Sequence, residues 1–324
     1  MNISLQDGAE ALQSHQTIMA KLSAPDPALD RLIKGHRLVL MDIPVYGNIG
    51  DLLIMLGTCS YLRRFAQPPS LTVSAYNPCF DAIRPDDVIL MQGGGNLGDI
   101  YPIHQTLREE VVRKFPGNRI IILPQSIHFL HQENLDRCMS LFASHNDLHL
   151  FVRDKASYKL AEPLQDRRSM APDMAHYLYP IGTRSEPSKD QLFLLRKDIE
   201  STCEAPLHPA HMTVDWYDIL GSRHRRIIRF FRSLFKRART PGTANAVAAL
   251  WLRYSSHIAK LAERRFSRYG SVRTDRLHAH ILACLMDKPH EVLDNSYGKN
   301  SRYIDAWTAE SPLVTLSTPR ETEQ

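Results

Sequence analysis

Runs such as Val88-Ile-Leu-Met91 and Ile120-Ile-Ile-Leu123 carry no polar residue at alternate positions. A strand with one wetted face alternates, whereas a strand that is apolar throughout needs cover on both faces. Such runs recur between Arg37 and Ala175, separated by amphipathic stretches, which points to a parallel sheet with helices on either side. Strands are expected at Arg37–Ile43, Leu71–Ala75, Asp87–Gln92, Arg119–Leu123, Leu148–Val152 and Ser169–Ala171. Helices are expected at Asp51–Phe65, Ile103–Phe115 and Gln132–His145. Each strand ends in a glycine, polar or charged turn, the edge where open α/β sheets bind ligands.

Pro180, Gly182 and Pro187 make Tyr179–Lys189 read as a linker. Beyond it, Gln191–Leu195 and Met212–Val214 look like strands of a second α/β unit, and a chain of 324 residues is comfortable for two domains. The expected fold class is α/β, with two doubly wound, Rossmann-like domains facing each other across a cleft. The divisions are an N-terminal segment (1–35), a first α/β domain (36–180) and a second (181–324) with a basic amphipathic insert at 219–268. The tail after Thr308 carries no clear pattern. Residues Met1 to Leu32 are polar without the apolar centre of a signal peptide, and no apolar run is long enough to span a bilayer. The five cysteines (Cys59, Cys79, Cys138, Cys203, Cys284) are scattered without metal-ligand spacing, as reduced thiols of a cytoplasmic protein would be.

The charge is unevenly spread. From Ile219 to Ala262 there is not one carboxylate, and Arg223–Arg239 is dense in arginine. On a helix, Ile227, Phe230, Phe231, Leu234 and Phe235 would fall on one side, with Arg225, Arg229, Arg232 and Lys236 largely on the other. That pattern suits contact between residues 223–239 and an anionic membrane surface, giving a protein peripheral to the inner face of the plasma membrane. A solvated basic helix packing its phenylalanines on its own domain is the plainer alternative. No nucleic-acid reading module is recognisable, so a nucleic-acid partner is not expected. Pro241-Gly-Thr-Ala separates this helix from a second, near Ala246–Phe266.

The densest chemistry lies between Thr274 and Gly298. Thr274 or Asp275 would cap a helix whose stripe is Leu277, Ile281, Cys284 and Leu285, with Pro289 ending it before a strand at Glu291–Leu293. Arg276 and His278 then sit in its first turn, facing the positive end of the helix dipole. This is unfavourable for a cation unless an anion lies between them, so the arrangement suits a phosphate or carboxylate held by Arg276 and helix amides, with His278 placed to move a proton. A surface arginine and a buried, hydrogen-bonded histidine would explain the same residues.

Two glycine loops are similar to each other: Tyr46-Gly-Asn-Ile-Gly-Asp51 after the first strand and Gly93-Gly-Gly-Asn-Leu-Gly-Asp99 after the third. Neither is a GxGxxG fingerprint or a P-loop. Their neutral, Asn/Asp-bearing character suits sugar hydroxyls better than a pyrophosphate, while tight turns with structural caps are the alternative. Gln125, Ser126, His128, Arg153, Asp154, Arg196, Lys197, Asp198 and Glu200 fall at further strand ends, and Arg153 could clamp an anion or simply pair with Asp154 or Asp173.

Taken in order, Gly47–Asp51, Gly93–Asp99, Pro124-Gln-Ser126, Val152-Arg-Asp154, Ala171-Pro-Asp173, Thr274-Asp-Arg-Leu-His278 and Ser296-Tyr-Gly-Lys299 resemble the polysaccharide pyruvyl transferase family. The resemblance runs from about Val45 to Trp307, excluding the basic insert. It implies a GT-B-like fold, phosphoenolpyruvate as co-substrate with no other cofactor and no metal, and a pyruvate ketal formed on a sugar of an exopolysaccharide repeat unit. It implies catalytic roles for His278 and Arg276, and donor contacts from Arg153, Thr274, Arg276, Leu277 and His278 in the second domain and at its border. The acceptor, a saccharide that is lipid-linked in one version of the reading, would meet Asn48, Asp51, Gly94, Gly95, Asn96, Asp99, Gln125 and Ser126. Two rivals stand beside this reading: a GT-B glycosyltransferase whose nucleotide sugar meets Asp198, Glu200 or Glu291, and a non-catalytic protein binding membrane or nucleic acid.

Overall fold

The computed structural model describes residues 5–65, 68–182, 187–196, 213–294 and 298–317. In chain order the elements are α1 (Leu5–Leu22), α2 (Pro27–Ile33), β1 (Leu38–Met41), α3 (Ile49–Leu62), β2 (Leu71–Thr72), β3 (Val88–Met91), β4 (Gly94–Leu97), α4 (Pro102–Lys114), β5 (Arg119–Ile127), α5 (Gln132–Ser144), β6 (Leu148–Val152), α6 (Lys155–Leu160) and β7 (Arg168–Met170). They continue with β8 (Lys189–Leu194), β9 (Thr213–Val214), α7 (Trp216–Ile219), α8 (Ser222–Arg237), α9 (Pro241–Ser267), β10 (Tyr269–Thr274), α10 (Leu277–Leu285), β11 (His290–Leu293), α11 (Lys299–Trp307) and β12 (Val314–Ser317).

The strands form two sheets. One runs β2-β1-β3-β5-β6-β7 with β4 paired to the far half of β5; the other runs β12-β11-β10-β8-β9. Every pairing is parallel. The unalternating apolar runs are explained residue by residue. Leu38, Leu40, Val88, Leu90, Ile121 and Leu123 enter one hydrophobic core, while Val39, Met41, Ile89, Met91, Ile120 and Ile122 enter the core on the opposite face. The first of these cores continues into the second sheet through Leu192, Leu194 and Val272.

In each sheet the winding direction reverses once. In the first, it reverses between β1 and β3, whose carboxyl ends lead into the two glycine loops; in the second, between β8 and β10, which lead into Arg196 and Arg276. Ligands of open α/β sheets gather at such switch points.

Several expectations are corrected. The N-terminal segment, read only as polar, packs into the fold: α1 buries His15 and Met19, and His15 bonds Ser311 Oγ (2.7 Å) and the Cys284 carbonyl (2.9 Å). The segment read as an insert is part of the core. Ala244, Ala248, Trp251, Ser255, Ile258, Ala262 and Phe266 place one face of α9 inward, and Trp251 Nε1–H donates to the Pro44 carbonyl (2.8 Å). The side-chain amide of Asn245 pairs with the edge strand β2, accepting from Thr72 N–H (2.9 Å) and donating to the Ser70 carbonyl (2.8 Å), which shields that edge. Pro241 opens α9 as its first residue, under a Thr240/Thr243 capping box. On α8 the buried residues are Ile228, Phe231 and Phe235, whereas Phe230 points outward. The patternless tail contains β12, which pairs with β11.

Helix α3 lies so close to the turn Met174–Leu178 that a β-carbon at Gly57 would stand 1.9 Å from the Met174 carbonyl oxygen. Because the obstacle is backbone, Gly57→Ala should cost about 3 kcal/mol and lower the thermal midpoint by several degrees. An unchanged melting curve would mean that the two segments can separate freely.

Candidate functional site

A cavity of about 400 Å³ is lined by the first glycine loop (Tyr46, Asn48, Asp51), by Gly95 and Asn96 of β4, and by Arg276, Leu277 and His278 where α10 begins. Arg196, Arg232 and Lys299 add cationic side chains, and Tyr101, His104, Trp216 and Tyr217 add rings. Both switch points therefore open on the same space.

Two helices start at this wall. Asn48 caps α3 by accepting from Gly50 N–H (3.0 Å). The α10 terminus differs from expectation. Arg276 itself is the N-cap and no side chain caps the helix, while Thr274 and Asp275 are used behind it. Thr274 Oγ donates to the Leu194 carbonyl (2.6 Å) and accepts from Arg276 N–H (3.0 Å), and Asp275 accepts from Arg196 N–H (2.8 Å). Thr274 is fully buried and does not line the cavity; it fixes the strand-to-helix corner that Arg276 occupies. The Arg276 guanidinium is held by Asp215 Oδ2 (2.6 Å), a partner 61 residues away and at the head of α7. The two helix termini touch: a β-carbon at Gly50 would lie 2.4 Å from His278 Nδ1. Only glycine lets α3 approach this imidazole.

Behind His278 lies a buried anchor. His278 Nε2 stands 3.5 Å from Asp173 Oδ2, within ion-pair reach, and Arg153 Nη1 donates to the same oxygen. Arg153 Nε donates to Ser126 Oγ (3.0 Å), while its Nη2 is buried with no hydrogen-bond partner and lies 3.0 Å from where a Gly95 β-carbon would be. Lys299 Nζ comes within 2.7 Å of that same point, so the bare backbone of Gly95 leaves room for two cations. Burial alone would raise the Asp173 carboxyl, but His278, Arg153 and the Ala175 N–H more than offset it and hold the group well below the usual carboxylate range. Asp173 is therefore a fixed anion whose charge orients both Arg153 and His278.

The acceptor-side expectations divide. Asn48, Asp51, Gly95 and Asn96 line the cavity. Asn96 Oδ1 is taken by Arg108 (2.6 Å) and Gln125 (3.3 Å), which leaves its NH₂ for a ligand. Ser126 lines only a smaller neighbouring cavity of about 30 Å³ that shares Gly95, Asn96 and Lys299. Gly94, Asp99 and Gln125 face neither space. Gly94 adopts φ 139° in the strand, and Gln125 is fully buried and donates to the Gln92 carbonyl (2.8 Å). Asp99 accepts from Leu130 N–H (2.7 Å), His131 N–H (3.2 Å) and Asn134 Nδ2 (2.9 Å), tying the loop to the start of α5. Of the carboxylates considered for a nucleotide sugar, Glu291 pairs with Arg273 (3.3 Å) away from the cavity, and Asp198 and Glu200 lie outside the described residues.

Lys299, Arg232, His104 and the aromatic residues were not foreseen as site residues. Lys299 belongs to one of the quoted motifs, and its position as the first residue of α11 was the available signal. Arg232 was hidden in the basic helix, where nothing distinguishes it from its neighbours except the side on which it falls.

Among the described residues, His280, Cys284 and His290 bring metal-ligand atoms within 4.8 Å of one another, all buried. The spacing escaped the sequence because one member comes from a strand. A closed chain already uses these atoms: His290 Nδ1–H donates to the Lys288 carbonyl (2.8 Å), His280 Nδ1–H to His290 Nε2 (2.7 Å), and the Thr308 hydroxyl to His280 Nε2 (3.1 Å). Neutral imidazoles satisfy every one of these bonds.

The chain is similar to known proteins over most of its length. The chain is 38% identical over 291 residues to the candidate pyruvyl transferase EpsO of Bacillus subtilis strain 168, covering 89% of this chain and 90% of that one. It is 29% identical over 305 residues to pyruvyl transferase 1 of Schizosaccharomyces pombe, covering 84% and 69% respectively. A solved structure of a functionally uncharacterised Klebsiella pneumoniae protein superposes with a TM-score of 0.63 at 20% identity, over 93% of this chain and 99% of that one, a likeness of fold. Residues 48–297 match the polysaccharide pyruvyl transferase family, a span that includes the basic helices. With its glycine loops, its Arg-Leu-His helix start and this match across most of its length, the chain belongs to the polysaccharide pyruvyl transferase family and is a transferase enzyme.

Proposed function

We propose that the protein transfers pyruvate from phosphoenolpyruvate to a sugar of an exopolysaccharide repeat unit, forming a ketal. The observation that carries this reading is the convergence on one cavity of two helix N-termini, Arg276, Lys299 and His278, the last backed by the Asp173–Arg153 pair. A small ligand with a phosphate and a carboxylate needs several N–H donors in fixed positions, and these groups supply them. In this reading the donor lies on the α10 side and the sugar against Asn48, Asp51, Gly95 and Asn96, with the two doubly wound halves facing each other in a GT-B-like manner.

The reaction balances without an oxidant. A proton adds to the donor's methylene carbon, a sugar hydroxyl attacks C2 and loses its own proton, the C2–phosphate oxygen bond breaks, and a second hydroxyl closes the ketal while its proton leaves with phosphate. Proton addition makes C2 cationic, so donors that grip phosphate aid its departure. His278 is the group placed to deliver or accept the proton, and Asp173 fixes its ring.

Purified protein incubated with phosphoenolpyruvate and an oligosaccharide acceptor should release phosphate and yield a product heavier by one pyruvyl ketal in mass spectrometry. Phosphoenolpyruvate should raise the melting temperature and nucleotide sugars should not. Stabilisation by a nucleotide sugar alone would replace this reading with glycosyl transfer.

A further inference from the structure

The basic helix does two things at once. Its inner face packs Ile228, Phe231 and Phe235 into the core, and one flank brings Arg232 to the cavity. Its outer face exposes Arg223, Arg225, Arg226, Arg229, Lys236 and Arg237, and among them Phe230 stands 60% exposed. By helical spacing, Phe230 lies between the half-buried Ile227 and Leu234 and the arginines at 226, 223 and 237. Leu250 of the adjoining α9 is also exposed, and no carboxylate occurs from Ile219 to Ala262 to offset the charge.

A folded protein gains nothing internally from an exposed phenylalanine ringed by like charges, which repel one another. The combination is favourable against a surface that is anionic outside and apolar just beneath. We infer that the outer face of α8 docks on an anionic lipid bilayer, with Phe230 entering the acyl boundary and the surrounding arginines meeting headgroup phosphates. A single-stranded nucleic acid would match the charge, but it gives no reason for Phe230 to be flanked by Ile227 and Leu234 as one apolar strip.

The test is flotation of the full chain with vesicles of equal parts phosphatidylglycerol and phosphatidylcholine, against phosphatidylcholine alone. Binding to the anionic vesicles only, weakened by added salt, is expected. Phe230→Ser and the double variant Arg226→Glu/Arg229→Glu alter exposed side chains, so their melting curves should match the parent. Each arginine contributes about fivefold to partitioning onto an anionic surface, so the double reversal should weaken flotation at least about 25-fold. Failure of the parent to float, parental flotation by both variants, or tighter binding to a labelled single-stranded RNA than to the vesicles would overturn the inference. No substrate is present in this assay, so its failure leaves the proposed transfer reaction standing, and failure of that reaction leaves this result readable.

Discussion

His278→Ala should lower kcat by about 10²–10⁴ while leaving the fold intact, because a single positioned proton-transfer group contributes on that scale. The imidazole lies at the cavity wall and makes no short hydrogen bond, and once it is removed the buried Asp173 carboxylate still keeps Arg153 and the Ala175 N–H as its support. Gly50→Ala gives an independent version of the same test. Its new methyl would occupy the space of the His278 ring, displacing the imidazole without removing it. Both should depress turnover, and Gly50→Ala, whose methyl would also stand 2.6 Å from the His278 β-carbon, should lower the melting temperature as well. Near-parental turnover in His278→Ala would remove the proposed proton transfer. Arg276→Ala is a less clean probe than the sequence alone implies. It would leave the largely buried Asp215 carboxylate without its cation, at a cost of about 3–5 kcal/mol. Its activity is therefore interpretable only beside an Arg276→Ala/Asp215→Ala double variant.

The second large effect is loss of stability in mild acid. Burial pushes the His176 imidazole down to about 4 and His290 likewise to about 4, and burial holds His280 well below the ordinary value. Unfolded, each would titrate near 6.5. Below that pH the unfolded chain binds protons that the folded chain refuses. Stability from these residues is complete above about pH 6.5 and falls by up to about 1.4 kcal/mol per pH unit for each histidine as pH drops toward 4. Asp173 cannot account for loss in this window, since its depressed carboxyl stays ionised there in the folded protein and loses its advantage only at stronger acidity. Urea unfolding should give a small fall in free energy from pH 7.5 to 6.5 and a larger one from 6.5 to 5.5, and His290→Gln should flatten the slope by about one proton. Equal stability across the three would mean that the folded chain takes up these protons as readily as the unfolded one.

The first sheet was legible because its signal is local. Strands buried on both faces spell themselves out as continuous apolar runs, and β1, β3, β5 and β6 fall within the expected segments or extend them. Strand β10 was missed for a physical reason: Tyr-Gly-Ser-Val-Arg-Thr has few apolar residues, and its place is fixed by pairing with β8 and β11 rather than by composition. The basic helices misled because carboxylate-free sequence looks like a surface appendage, yet the spacing of Ala244, Ala248, Trp251 and Ser255 on α9 is a core stripe in small residues. At the site, the glycine loops and the Arg-Leu-His start could be read directly, since they form local backbone features. Asp215 for Arg276, Asp173 for His278 and Gly95 for Lys299 could not, because each partner is brought in by the fold from a remote part of the chain.

The helix that opens the chain is fastened by His15 to Ser311, across 296 positions. At ordinary rates of translation, roughly 15 to 60 s pass between the emergence of those two residues from the ribosome. Until it ends, α1, with Met19 on its inward side, lacks part of the surface it will finally cover. Synthesis and completion are thus far apart for this helix: α1 is made long before the Ser311 hydroxyl that its His15 finally binds.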